Sequence, residues 1–199
     1  MHIKTIVSEE MQQNCYIVEK DGIGLLIDPG MDTFKILKEA EGIKIKYILL
    51  THCHFDHIYS LNEIRDSKMV VGSEKCSRNI LDTKISLSGD RRLSDKPCDI
   101  IMSDGEKRSF DRIYVKCIYT PGHTDGSVCY LIENNLFSGD TLFSGSVGRC
   151  DLPTGNIKDL ENSVRKKLYK LPDSVTVYPG HGGSTSIGFE KKNNGYFTE

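Results

Sequence analysis

The sequence of 199 residues predicts an α/β (α+β) fold, an αββα sandwich of two mixed sheets with helices outside and a site on one rim. Three observations point there. Short apolar runs of strand length recur in both halves of the chain. Segments with helical spacing separate several of them. Histidines and aspartates stand where strands run out into loops, at His52, His54, Asp56, His57, His123, Asp140 and His181.

HIKTIV and NCYIVEK read as short strands and GLLID as a third, stopped by Pro29-Gly30. Asp28 suits the turn before Pro-Gly as a cap. Phe34, Ile36, Leu37 and Ala40 have helical spacing, and the helix predicted over 34–41 stops at Gly42. Tyr47 to Leu50 is an unbroken apolar run, the mark of a buried strand. A helix through Leu61 and Ile64 and the strand KMVVG follow, and Ser73 is placed to cap a short helix reaching Leu81. Residues 82–98 are polar, broken by Gly89 and Pro97 and without periodicity. Loops of this length are often functional, so a flap over the site and a plain surface excursion both remain open.

From Asp99 the pattern turns mostly to strands: DIIMS, KRSF, RIYVKCIYT, SVCYLIE and a run into Leu136-Phe137. Ile157, Leu160, Val164, Leu168 and Leu171 share one face of a helix predicted over 156–170, closed by Pro172. TVYPGH is the last strand, and a short helix is expected from Thr185.

Size and composition narrow the function classes. A chain of this length, 38% hydrophobic, is expected to fold as one domain over residues 1–199. A net charge of −2 gives no general pull toward nucleic acid or acidic membranes, so neither is an expected partner. The basic pairs at 91–92, 166–167 and 191–192 read as solvated faces. No apolar run approaches the ~20 residues that span a bilayer, and the N-terminal stretch has no apolar signal core. The seven cysteines are odd in number, scattered and without a Cys-x-x-Cys pair, which fits reduced thiols and a cytoplasmic location.

The densest chemistry lies in THCHFDH, Thr51 to His57. A lone histidine beside an apolar run is usually a packing or surface residue. Four ligand-type side chains within six residues are another matter. A tight loop splays them into two groups, His52 with His54 and Asp56 with His57, which suits two adjacent ions better than one. Neutral imidazoles and a carboxylate are the donors expected for zinc or a similar first-row metal. Cys53, between two of them, is expected to point away and pack.

HCHFDH matches the H-x-H-x-D-H signature of the metallo-β-lactamase-fold hydrolases. LLIDPG, TPGHTDGSV, FSGDTLF and YPGHGG match that family's other motifs in order. The resemblance runs from about Gln12 to the C-terminus, and GDTLFSGSVGRCDLPTG is most similar to the short, single-domain glyoxalase II-like members. It implies two divalent ions, zinc first with iron or manganese as alternatives. His52, His54 and His123 would hold one, Asp56, His57 and His181 the other, and Asp140 would bridge them. Asp28 would support the metal loop from behind, and Arg149 would touch substrate or pair internally with Asp151. The helical C-terminal domain that supplies much of the glutathione site in longer relatives has no counterpart here.

A hydroxide shared by two such ions needs no protein base, and Asp56 would orient it. The expected activity is therefore hydrolysis of a small-molecule thioester, since a thiolate leaves without immediate protonation. A persulfide dioxygenase using a single iron is the alternative, with a lactonase, a phosphodiesterase or an inactive binding module behind it. Oligomeric state is not legible.

Overall fold

The computed structural model describes residues 1–198. Strands β1 (His2–Val7), β2 (Asn14–Lys20) and β3 (Ile23–Ile27) form an antiparallel meander. After helix α1 (Thr33–Glu39), the chain returns parallel to β3 as β4 (Lys44–Leu49). Two short helices, α2 (Phe55–Ile58) and α3 (Leu61–Arg65), lead to β5 (Met69–Gly72). Helix α4 (Glu74–Asn79) and a long connection then lead to β6 (Ile100–Ile101). These last strands are parallel, as strands joined by helical crossovers must be. The sheet order is β1-β2-β3-β4-β5-β6.

The second half repeats the plan in another order. β7 (Lys107–Phe110), β8 (Ile113–Tyr119), β9 (Val128–Ile132) and β10 (Asn135–Gly139) are antiparallel neighbours. A small hairpin, β11 (Leu142–Phe143) and β12 (Ser146–Val147), and helix α5 (Ile157–Lys166) then intervene. β13 (Thr176–Pro179) lies parallel to β10, and β14 (Thr185–Ser186) and α6 (Ile187–Asn193) follow. The second sheet runs β14-β13-β10-β9-β8-β7, so both sheets are mixed, as predicted.

Period-two alternation explains the layers. In β3, Leu25 and Ile27 face the space between the sheets, while Leu26 faces the helices. Tyr16, Leu49, Phe110, Tyr130 and Phe137 fill the middle layer. Ile36, Leu61 and Ile64 cover the outer face of the first sheet, and Leu160, Val164 and Ile187 that of the second. The result is the αββα sandwich. Its sheets are also tied by polar bonds: the Tyr16 hydroxyl donates to the Pro179 carbonyl at 2.6 Å, and that of Tyr130 to Leu50 at 2.9 Å.

Local signals set most boundaries. Ser73 accepts from the Cys76 amide at 3.0 Å, capping α4, and Asn156 accepts from the Lys158 and Asp159 amides, capping α5. The helix expected to continue to residue 170 instead ends at Lys166, and Leu168–Lys170 tighten into a 3₁₀ turn, a common way for a helix to end. DIIMS contributes only two residues of strand, and the helix expected from Thr185 starts at Ile187, after a two-residue strand. Among the described residues, no helix is long and apolar enough to cross a membrane.

Residues 82–98 hold no helix or strand, yet they are tied down. Arg65, 5% exposed at its side chain, donates to the Lys96 and Pro97 carbonyls and pairs with Asp99 at 2.8 Å. All seven cysteines are free, six of them buried. A reductant should therefore leave the melting temperature unchanged within about 1 °C, as read by thermal unfolding with and without it. A drop of many degrees would reveal a disulfide that the fold depends on.

Candidate metal centre

Four strand ends meet at one rim. β4 runs out through Leu50 into Thr51-His52, and the next residues fold into the one-turn helix α2. The expected open loop is thus partly helical. That turn points Asp56 and His57 one way, while His52 and His54, on the extended approach, point another. β8 leads through Pro121-Gly122 to His123, β10 ends at Gly139 beside Asp140, and β13 ends at Pro179 two residues before His181. Gly180 is required there. A Cβ on it would lie 2.1 Å from the Asp140 carboxylate and 2.7 Å from the His57 ring.

The predicted residues converge into two adjoining groups. His52, His54 and His123 offer ring nitrogens within 4.8 Å of one another, and so do the donor atoms of Asp56, His57 and His181. Asp140 lies between the groups. One oxygen is 3.3 Å from His57 Nε2, and the other is 3.5 Å from His123 Nε2 and 3.8 Å from His181 Nε2. Cys53 turns away into the helix-side core.

Outer partners fix which nitrogen of each ring faces inward. His57 Nδ1 donates to Asp28 at 2.9 Å, His123 Nδ1 to the Arg149 carbonyl at 2.8 Å, and His181 Nδ1 to the Met11 carbonyl at 3.2 Å. His52 Nδ1 donates to the Thr51 hydroxyl at 3.1 Å, whose own proton goes to Asp28 at 2.6 Å. Each of these four rings is left with Nε2 for the centre. His54 is reversed, its Nδ1 facing His123 Nε2 at 2.8 Å. Asp28 also accepts from the Thr51 amide at 2.7 Å. With both oxygens so engaged it braces His52 and His57 from behind, although its distances alone would group it with them.

The electrostatics show what the cluster lacks. Burial, reinforced by neighbouring imidazoles, holds His52 well below its ordinary pKa and His54 at about 3. For His57, burial opposes charge, but Asp140 and Asp56 outweigh it and raise its pKa well above the usual value. Burial likewise opposes ionisation of Asp56 and Asp140, yet the field of His57 lowers both. The two carboxylates thus favour positive charge on His57 and, in the same direction, on His181. His52 Nε2, His57 Nε2 and Asp140 Oδ1 are buried and make no hydrogen bond. Unpaired buried polar atoms of this kind are costly unless something binds them. Neutral imidazoles, two carboxylates and orphaned donors facing one space fit a pair of divalent cations.

A cavity of about 400 Å³ opens above the cluster. Arg149 stands at its edge, paired with Asp151 through two bonds of 2.7 Å, which is the internal pairing weighed from the sequence. Sequence reasoning missed several contributors. Gln13 is buried behind the site, donating to the Asn14 and Asp28 carbonyls and pairing in a backbone bridge with His181. Thr51 links Asp28 to His52. Met11, Phe55, Leu87, Phe143 and Leu152 form the cavity walls. Thr51 could have been found from its place in the motif; the others are ordinary residues brought in by topology.

Comparison with known proteins agrees with this geometry. The model of the metallo-beta-lactamase superfamily matches residues 9–73 and 94–181, and the chain belongs to that superfamily. It superimposes on the crystal structure of BLEG-1, a B3 metallo-beta-lactamase, with a TM-score of 0.94, 33% identity and complete coverage of both chains. With TTHA1623, crystallised in a di-iron-bound form, the TM-score is 0.85 and the identity 31%, over 98% of this chain and 100% of that one. The hydroxyacylglutathione hydrolase GloC of Haemophilus influenzae is 29% identical over 98% of this chain and 97% of its own. Fold, site and relatives together define a metal-dependent hydrolase with His and Asp clusters consistent with a binuclear centre.

If the two groups each hold an ion, His57→Ala should lose about one equivalent while the chain stays folded. Elemental analysis of the purified variant, with circular dichroism as the folding control, is the check. Unchanged stoichiometry would remove His57 from the ligand set.

Proposed function

We propose that the protein hydrolyses thioesters with two divalent ions at this centre, zinc in the first place and iron as the alternative. One observation carries the reading. Every imidazole and carboxylate lining the cavity belongs to the cluster, and the one further ionisable side chain there is Arg149. Among the described residues, no separate general acid faces the space where a leaving group would depart. A thiolate departs without a proton, whereas an amide nitrogen needs one. The reaction printed in the name of GloC is of this kind.

Divalent ions held here would lower the pKa of a bound water and polarise a carbonyl. The chain's own residues would do the rest. Asp56, which lines the cavity with one oxygen 3.1 Å from His181 Nε2, orients the attacking water by accepting its hydrogen. Asp28 and Thr51 hold the His52 and His57 rings so that little reorganisation is needed as charge develops.

Hydrolysis of a β-lactam is the second reading, favoured by the close superposition on BLEG-1. A single-iron persulfide dioxygenase is less well supported, because the Asp56, His57 and His181 group is complete.

Asp56→Asn keeps the size of the side chain and removes its charge. At matched metal occupancy it should lower thioester turnover by about 10² or more. Steady-state kinetics on a simple acyl thioester, run beside a β-lactam and paired with metal analysis, is the test. Activity within a few-fold of wild type, with both ions present, would show that Asp56 does not orient the nucleophile. A protein that opens the lactam and leaves every thioester intact would replace the first reading with the second.

A further inference from the structure

We infer that the site selects thioesters whose groups flanking the carbonyl are uncharged and apolar, and that Leu87 sets this preference; the inference rests on the thioesterase reading. The cavity has a polar floor, the cluster itself, and apolar walls. Met11, Phe55, Leu87, Phe143 and Leu152 come from five separate segments and line the same space. None of the five is fully buried by the protein, and Met11 is 41% exposed. Apolar surface left open around a small polar floor is what an apolar ligand would cover.

Leu87 stands apart among them. It lies in the left-handed region with φ 60°, the one apolar residue among the non-glycine positions with positive φ in the described chain. That region disfavours leucine, and a residue remains there when its surroundings hold it. They do so here. The Phe55 amide donates to the Ser86 carbonyl at 2.7 Å, pinning the loop to the turn that carries Asp56 and His57. The Ser86 amide donates to Asp82 at 2.9 Å and that of Ser88 to Thr83 at 3.1 Å, while the Ser86 and Ser88 hydroxyls share a bond of 3.0 Å. This ordered bonding presents a strained leucine to the cavity. Through Leu87 the bonded turn at 82–88 thus contributes to the wall of the site.

Charge agrees. The one cation on the rim that is not a cluster member, Arg149, is already paired with Asp151. A carrier bearing carboxylates, such as a tripeptide thiol, would have to break that pair or go unmatched. A neutral carrier loses nothing.

The test uses the metal-loaded protein and two matched series. Acetyl, butyryl and hexanoyl thioesters of N-acetylcysteamine are compared with the same acyl groups on glutathione, for wild type, Leu87→Ala and Leu87→Gly. In wild type, kcat/KM should rise about four-fold per added methylene, and the neutral carrier should be preferred by roughly ten-fold. Leu87→Ala should cut the hexanoyl-to-acetyl ratio about ten-fold, mainly through KM. Leu87→Gly relieves the backbone and should lose the same selectivity without a lower melting temperature, which separates the side chain's contact from damage to the fold. Preference for glutathione, or an equal loss on all substrates in both variants, would overturn the inference and leave the thioesterase reading standing. If no thioester is turned over, that reading fails, and calorimetry with S-hexyl and S-ethyl N-acetylcysteamine still decides this one. Tighter binding of the hexyl ligand that Leu87→Ala abolishes supports it; equal binding of the two overturns it.

Discussion

Two largely buried carboxylates, Asp56 and Asp140, face the imidazoles of His57, His123 and His181, and among the described residues neither has a lysine or arginine as ion-pair partner. Buried negative charge without a cation is among the most expensive arrangements a fold can hold. The protein's partial answer is protonation of His57 and His181, which these carboxylates favour and burial works against. The rest of the site follows from this constraint. Cations placed between the two groups would neutralise the carboxylates and engage the orphaned nitrogens together.

The sandwich is what makes so concentrated a site possible. Each contributing strand end is fixed by packing in one of three apolar layers, so the donors are aimed before anything binds. Short bonds across the rim lock the two halves in register. Asn14 donates through its amide side chain to the Pro179 and Gly182 carbonyls at 3.0 and 2.9 Å, and the Val128 amide donates to Thr51 at 2.8 Å. These join the start of β2 to the loop bearing His181, and the metal loop to the strand after His123. Asp28, itself at φ 49°, adds the last brace from behind.

Legibility from the sequence followed the range of each interaction. The strand β4 and the histidines beyond it were readable because an unbroken apolar run and a dense ligand motif are local patterns. So were the Ser73 and Asn156 caps, which need only a few consecutive residues. The αββα layering was readable because apolar runs repeat in both halves. The hairpin at Leu142–Val147 was not, because two-residue strands show no alternation. The end of α5 at Lys166 was missed because Leu168 and Leu171 still face the core through a tightened turn, so the apolar spacing outlasts the helix. Gln13 and Leu87 were the least legible. One braces the site across a bridge to His181, and the other depends on a backbone conformation that no side-chain pattern announces.

The arrangement of the cluster demands two cations. Stripping the protein with a chelator and titrating it with zinc, while following both heat of binding and unfolding temperature, tests that demand directly. It predicts saturation near two ions per chain, with the unfolding temperature still rising as the second binds. Saturation at one ion, or binding that leaves unfolding unchanged, would contradict it.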